Sequence, residues 1–184
     1  GLTLKEMQRA EEALVSYERA IEEAPQMIWY HINRVDLLLD MKRKQDALRA
    51  IDVAGGIDPR NPTVWARRGQ VLRRLTRFEE AIDAYDIALE LDPGYAWAWN
   101  GKGLCLTALE RWPEAMLAYQ RAIEIDSGDV WFWHNYGDTL MNLGDSSRAE
   151  QIFLQALQID PRHEATQRKL RQLRGVNGKD DDTP

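Results

Sequence analysis

Residues 62–95 read PTVWARRGQVLRRLTRFEEAIDAYDIALELDPGY, and the reading of this stretch decides the fold. Its apolar residues Val71, Leu72, Leu75, Phe78, Ala81, Ile82, Tyr85, Ala88 and Leu89 recur at steps of three and four, the period of an α-helix. Thr76 and Arg77 mark a short turn inside the pattern. Asp92-Pro93 ends it, because proline cannot continue a helix. Small residues at Gly69, Ala81 and Ala88 let two helices approach closely. The stretch predicts one helical hairpin.

The same pattern recurs along the chain. Asp-Pro at 58–59, 92–93 and 160–161 and Asp-Ser at 126–127 share a spacing of 34 residues, and Pro25 fits one step back. Trp65, Trp99 and Trp133 keep that spacing, as do Gly69, Gly103 and Gly137, and Ala81, Ala115 and Ala149. Tyr85, Tyr119 and Phe153 follow it, and so do Ala88, Ala122 and Ala156. Pro113 stands at the first position of a second helix, where its missing N–H costs nothing. A fixed period of this length is the mark of a repeat array. The helix pairs are expected at 28–41/44–54, 62–75/78–91, 96–109/112–125 and 130–143/146–159, with a last helix at 164–174.

The pattern Trp65-x3-Gly69 … Ala81-x3-Tyr85-x2-Ala88-x4-Pro93 resembles the tetratricopeptide repeat. That resemblance implies an all-α fold, a right-handed superhelical α-solenoid of antiparallel helix pairs. It divides the chain into a partial repeat at 1–27, repeats at 28–61, 62–95, 96–129 and 130–163, a capping helix at 164–174 and an acidic tail at 175–184. The 96–129 repeat departs only where Ser127-Gly128 replaces the terminal proline. The 28–61 repeat is degenerate, with His31 for the tryptophan, Val35 for the glycine and Ile51 for the aromatic, and with Gly55 and Gly56 expected to shorten its second helix.

The ends carry their own expectations. Gly1 falls on the signature glycine, so the chain is expected to begin inside a repeat, with a helix at 10–23 whose apolar stripe invites weak self-association. The last helix should turn Ala165, Leu170 and Leu173 inward and basic residues outward, a solubilising cap. The stretch GVNGKDDDTP reads as disordered by composition.

Two segments, AWAWN at 96–100 and VWFWH at 130–134, hold tryptophans two residues apart. At ~100° per residue such side chains point to nearly opposite sides of a helix. The resemblance makes Trp65, Trp99 and Trp133, at the fourth position of each repeat, core residues. It implies that the second, fifth, ninth, twelfth and thirteenth positions of the first helices face a concave groove. Trp29, Trp97 and Trp131 occupy the second position, so they are expected to face a ligand; the alternative is a spacer packed between repeats. Trp112 takes the turn position of Phe78 and reads as packing. The groove is expected to gather Trp29, Asn33, Asp36, Asp40, Arg67, Gln70, Arg73, Arg74, Trp97, Asn100, Leu104, Trp131, His134, Asp138 and Met141.

That lining is mixed in charge. Arg67, Arg73 and Arg74 offer guanidinium forks suited to carboxylates. Arg34, Arg68 and Lys102, at the seventh position, read as side chains lying along their helices. The groove is therefore expected to take a protein or peptide with acidic and aromatic residues. A clamp for a C-terminal carboxylate is not expected: only Asn33 and Arg67 match it, and Thr63 and Leu2 do not.

Composition narrows the rest. The 184 residues are 44% hydrophobic and 29% charged with a net charge of −6, which disfavours nucleic acid and anionic membranes. RNA binding by a helical-repeat array and a self-associating module remain alternatives. No apolar run is long enough for a membrane span. Cys105 is the single cysteine and sits on an apolar stripe, which points to an inert core thiol and a reducing, cytoplasmic setting. His31, His134 and His163 lie apart without metal-ligand spacing, Gly101-Lys102-Gly103 is too short for a phosphate loop, and no catalytic set stands out. The reading is a non-enzymatic interaction scaffold without cofactor or metal.

Overall fold

A computed structural model describes residues 4–177, with side chains described for 7–175. Among them are ten helices and no strand. They divide into two compact units, residues 1–93 and 94–184.

In the first unit α1 (Leu4–Glu23) precedes two hairpins, α2 (Ile28–Asp40) with α3 (Lys44–Ile57) and α4 (Pro62–Arg74) with α5 (Phe78–Leu91). Asn61 caps α4, its Oδ1 accepting from the Thr63 N–H at 3.1 Å, and Pro62 occupies the first turn. One core cluster joins Leu14 of α1 to Ile32, Val35 and Leu38 of α2, Ala47 and Ile51 of α3, and Val64 and Val71 of α4. Each helix contributes the stripe that its three-and-four spacing gathers on one side.

In the second unit α6 (Ala96–Ala108) pairs with α7 (Trp112–Ile125) and α8 (Val130–Asn142) with α9 (Ser146–Ile159), and α10 (Glu164–Asn177) follows. Asp129 and Asp145 cap α8 and α9, accepting from the Trp131 N–H at 2.8 Å and the Arg148 N–H at 3.1 Å. Tyr119, Phe132, Phe153, Leu106 and Leu140 are the large side chains fully buried here. Cys105 is buried with them.

The repeat glycines explain how closely the helices of a pair meet. A Cβ added at Gly69, Gly103 or Gly137 would lie 2.9, 2.6 or 2.6 Å from the ring of Tyr85, Tyr119 or Phe153. Only hydrogen fits there. The degenerate pair keeps the total volume by the opposite choice, since Val35 and Ile51 are both fully buried.

Several expectations need correction. The helix of α3 runs through Gly55 and Gly56 to Ile57, and packing of the turns before them overrides the propensity cost of two glycines. The first helix, expected at 10–23, starts earlier: α1 is continuous from Leu4 to Glu23. In the four hairpins the turn is made by a residue with positive φ, Lys42, Thr76, Glu110 and Gly144. Gln8 stands in that register but within α1. On α10 the fully buried residue of the first turn is Thr166; Ala165 is only half-buried, while Leu170 and Leu173 are buried. Residues 175–177 continue α10, and the rest of the expected tail lies outside the described residues.

Candidate functional site

Position three of the repeat, between the paired tryptophans, is the one that points into the core. Val64, Ala98 and Phe132 are buried, and the tryptophans on either side of Ala98 and of Phe132 diverge. Trp65, Trp99 and Trp133, expected in the core, are half-buried. The indole N–H of Trp65 donates to the Pro59 carbonyl at 2.8 Å and that of Trp133 to Ser127 at 3.0 Å. Arg68 and Lys102 sit over the Trp65 and Trp99 rings at 5.8 and 5.7 Å. Fourth-position tryptophans thus close the edge of the three hairpins that carry them. Two residues span ~200° on a helix, so a third residue midway takes the core direction and both flanks turn sideways.

Trp29, Trp97 and Trp131 are exposed by 63, 54 and 46%. They are not loose. Trp97 meets Phe132 edge-on at 5.3 Å, and Trp131 meets His163 at 4.5 Å and His134 at 5.6 Å, both edge-on. Ring faces on fixed supports are what a binding surface needs, because little freedom is lost on contact.

In the first unit α2 and α4 together line a cavity of about 520 Å³. Trp29, Ile28 and Ile32 make its apolar side; Asn33, Asp36, Asn61, Thr63 and Arg67 make its polar side. A second hollow of about 430 Å³ shares Asp36 and Arg67 and adds Asp40, Lys42, Gln70 and Arg74. Arg67 is engaged in both directions: its guanidinium lies 3.3 Å from Asp36 and donates to Gln70 Oε1 at 2.8 Å. Burial raises the Asp36 pKa, Arg67 opposes this and Asp40 adds to it. Arg74 is exposed and Arg73 half-buried, and neither has an ion-pair partner among the described residues.

In the second unit Trp97, Leu104, Trp131, Asp138 and Met141 are at least partly exposed on α6 and α8. Asn100 and His134 are not. Both stand at position five with Ile32 and Ala66, and all four are buried. The Asn135 amide donates to Asn100 Oδ1 at 2.9 Å, and His134 Nδ1 lies 3.0 Å from Thr166 Oγ1. Asn100 and His134 therefore face the first helix that follows their own, and these two side chains support the surface from beneath. Burial pushes the His134 imidazole down to about 4; Asp138 opposes this, and His163, Lys169 and Arg168 add to it. His163, remote in sequence, stands 5.3 Å from His134, ring to ring.

Some polar ties follow a spacing that the repeat itself does not display. Asp36 pairs with Arg67 and Asp138 with Lys169, each carboxylate reaching the first helix that follows. Two seventh-position arginines reach back to the preceding helix, Arg34 to Glu18 at 3.8 Å and Arg68 to Asp52 at 2.9 Å. Thr63, Asn61, His163 and Lys169 were missed as site residues. Thr63 alone had a signal, its second position one repeat after Trp29.

No group of three or more metal-ligating side chains gathers among the described residues, and no helix there is long and apolar enough to cross a membrane.

Family models described as tetratricopeptide repeat match residues 32–96 and 66–130, 118–151, and 1–27. The chain belongs to the tetratricopeptide repeat family, whose members are generally protein–protein interaction scaffolds. No curated protein matches its sequence. Among solved structures it is similar to TTC0263, a thermophilic TPR protein of Thermus thermophilus, with a TM-score of 0.80 at 18% identity over 92% of this chain and 93% of that one. PilW, described as a widely conserved type IV pilus biogenesis factor, gives 0.77 at 22% identity over 83% and 70%. YrrB, described as a TPR protein with an unusual peptide-binding site, gives 0.69 at 21% over 90% and 86%. At these identities the likeness is one of fold.

Proposed function

We propose that the chain holds an extended segment of a partner protein against its first helices and does no chemistry on it. The observation that carries this reading is the exposure of Trp29, Trp97 and Trp131, each on the same position of its repeat and each turned away from the core. Exposed tryptophans cost solubility, and binding hot spots are enriched in this residue. In the first unit, Trp29 with Ile28 and Ile32 receives an apolar or aromatic side chain. Asn33 and Thr63 offer hydrogen bonds to the segment's backbone, and Arg74 and Arg73, rather than the already paired Arg67, attract its carboxylates. In the second unit Trp97, Trp131, Leu104 and Met141 supply the apolar contacts, with Asp138 held by Lys169 at their edge. The peptide-binding site in the description of YrrB is in keeping with this use of the fold.

The test begins with selection of displayed random peptides on the whole chain, followed by NMR titration of the best binder. The indole N–H resonances of Trp29, Trp97 or Trp131 should move, and those of Trp65 and Trp133, held by backbone carbonyls, should stay. Shifts confined to Trp65 and Trp133 would overturn the assignment.

A further inference from the structure

A different face of the first unit holds a hollow that the repeat pattern does not require. At the position of Gly55 the other full repeats carry Leu89, Ile123 and Leu157. In the second unit Ile123 packs against the cluster containing Phe132, nine residues on. The counterparts in the first unit, also nine residues apart, are both cut down: Gly55 for the isoleucine and Val64 for the phenylalanine. A cavity of about 420 Å³ lies there, walled by Ile51, Val64, Trp65 and Ile87, with the Asp52–Arg68 ion pair at its rim. A Cβ at Gly55 would meet nothing nearer than Val64 Cγ1 at 3.9 Å, and one at Gly56 would meet nothing within 4 Å. The hollow is thus open where a side chain is ordinarily supplied from within.

Its surroundings carry a sign. Asp83 and Glu90 lie one helical turn on either side of Ile87, on the same stripe of α5. Both are exposed and neither has a cationic partner among the described residues. Arg68, which lines the hollow, is already paired with Asp52.

We propose that this hollow seats one leucine or isoleucine side chain from a basic amphipathic helix of a partner protein, whose lysines or arginines, a turn before and after the anchor, meet Asp83 and Glu90. The chain itself shows which side chain fits, since it places an aliphatic residue at this position in every other full repeat. The unpaired carboxylates show which flanks it wants. Neither Trp29 nor any other residue proposed for the first-helix surface lines this hollow, so the two sites are independent.

A suitable probe is a stapled helical peptide with one leucine flanked by lysines a turn before and after, titrated into the full chain by NMR and by calorimetry. Shifts should centre on Gly55, Gly56 and the Trp65 indole. Gly55→Leu, which fills the hollow from within and raises helix propensity, should weaken binding about tenfold or more, the scale of losing one buried leucine contact. Asp83→Lys with Glu90→Lys, a change confined to exposed positions, should weaken it in a salt-dependent way. Leucine-to-alanine in the peptide should cost as much as Gly55→Leu, while Trp29→Ala should cost nothing. Binding unaffected by Gly55→Leu or by loss of the peptide leucine would overturn the proposal. So would shifts centred on Trp29, or a face that instead pairs with a second copy of the chain.

Discussion

At the residue scale, the fit between Gly137 and Phe153 sets how closely a hairpin closes. With 2.6 Å from a Cβ at Gly137 to the ring, Gly137→Val forces the helices apart and should cost about 3 kcal/mol, the upper end of overpacking effects. The Val35 and Ile51 pair shows the other solution in the same chain, so adding Phe153→Ile should recover at least about 1 kcal/mol as a coupling term. Additive costs in urea melts would contradict the lock. The turn residue is a second case. Thr76 has φ of 60°, strained for a β-branched side chain, whereas the equivalent Gly144 sits at 86° without a Cβ. Thr76→Gly should raise stability by about 1 kcal/mol, the strain relieved being partly offset by glycine's backbone entropy. An unchanged or lower midpoint would show that the strain is absorbed elsewhere. The hydroxyl chain beneath the second unit has one proton order. Thr139 donates to the Asn135 carbonyl at 2.9 Å, so it accepts from Thr107, which in turn accepts from the Tyr119 hydroxyl at 3.1 Å. Burial pushes that phenol up to about 12, consistent with a donor that keeps its proton.

At the element scale, helix existence and ends were legible because proline, Asp-Pro and the three-and-four spacing act locally. Every hairpin helix begins at its expected residue, and most end within one residue of the expected place. What failed were the places where packing decides. Gly55 and Gly56 suggest a break, yet Ala50, Ile51 and Ala54 are buried along α3 and hold its last turn. The fourth-position tryptophans were misread because a side chain's direction depends on where the core lies, and the small Ala98 between two tryptophans gives no hydrophobic signal of its own. Phe132 did give that signal. Phe132→Ala should accordingly cost about 3–5 kcal/mol, and Trp133→Ala clearly less, since Trp133 is only half-buried. Equal losses in denaturant melts would restore the fourth position to the core. The packing of α8 against α10 should also depend on pH. His134 titrates near 6.5 when unfolded and near 4 when folded, so its contribution is complete above about 6.5 and is lost as pH falls from there towards 4. His134→Gln should flatten the fall of the melting midpoint across that window; parallel curves for the two proteins would contradict the assignment.

At the scale of the whole molecule, the repeat period was fully legible, and with it the all-α repeat fold, because each unit writes the same side chains at the same spacing. The surface was legible only in part. Position two could be read as exposed from its register, but Asn100 and His134 were assigned to a groove that their neighbours close over. Arg67 was offered to a ligand although Asp36, thirty-one residues back, already holds it. Contacts between successive first helices fall at spacings other than the repeat, and periodicity carries no trace of them. The proposed function therefore rests on the three exposed tryptophans. The most direct measurement is the affinity of the selected peptide for a Trp29→Ala, Trp97→Ala, Trp131→Ala variant, taken beside its melting midpoint. If the three tryptophans form the binding surface, binding should weaken by about 1–2 kcal/mol or more for each tryptophan the peptide contacts, with stability shifted by no more than about 0.5–1 kcal/mol per site. Unchanged affinity, or a variant that loses stability as a core truncation does, would contradict it.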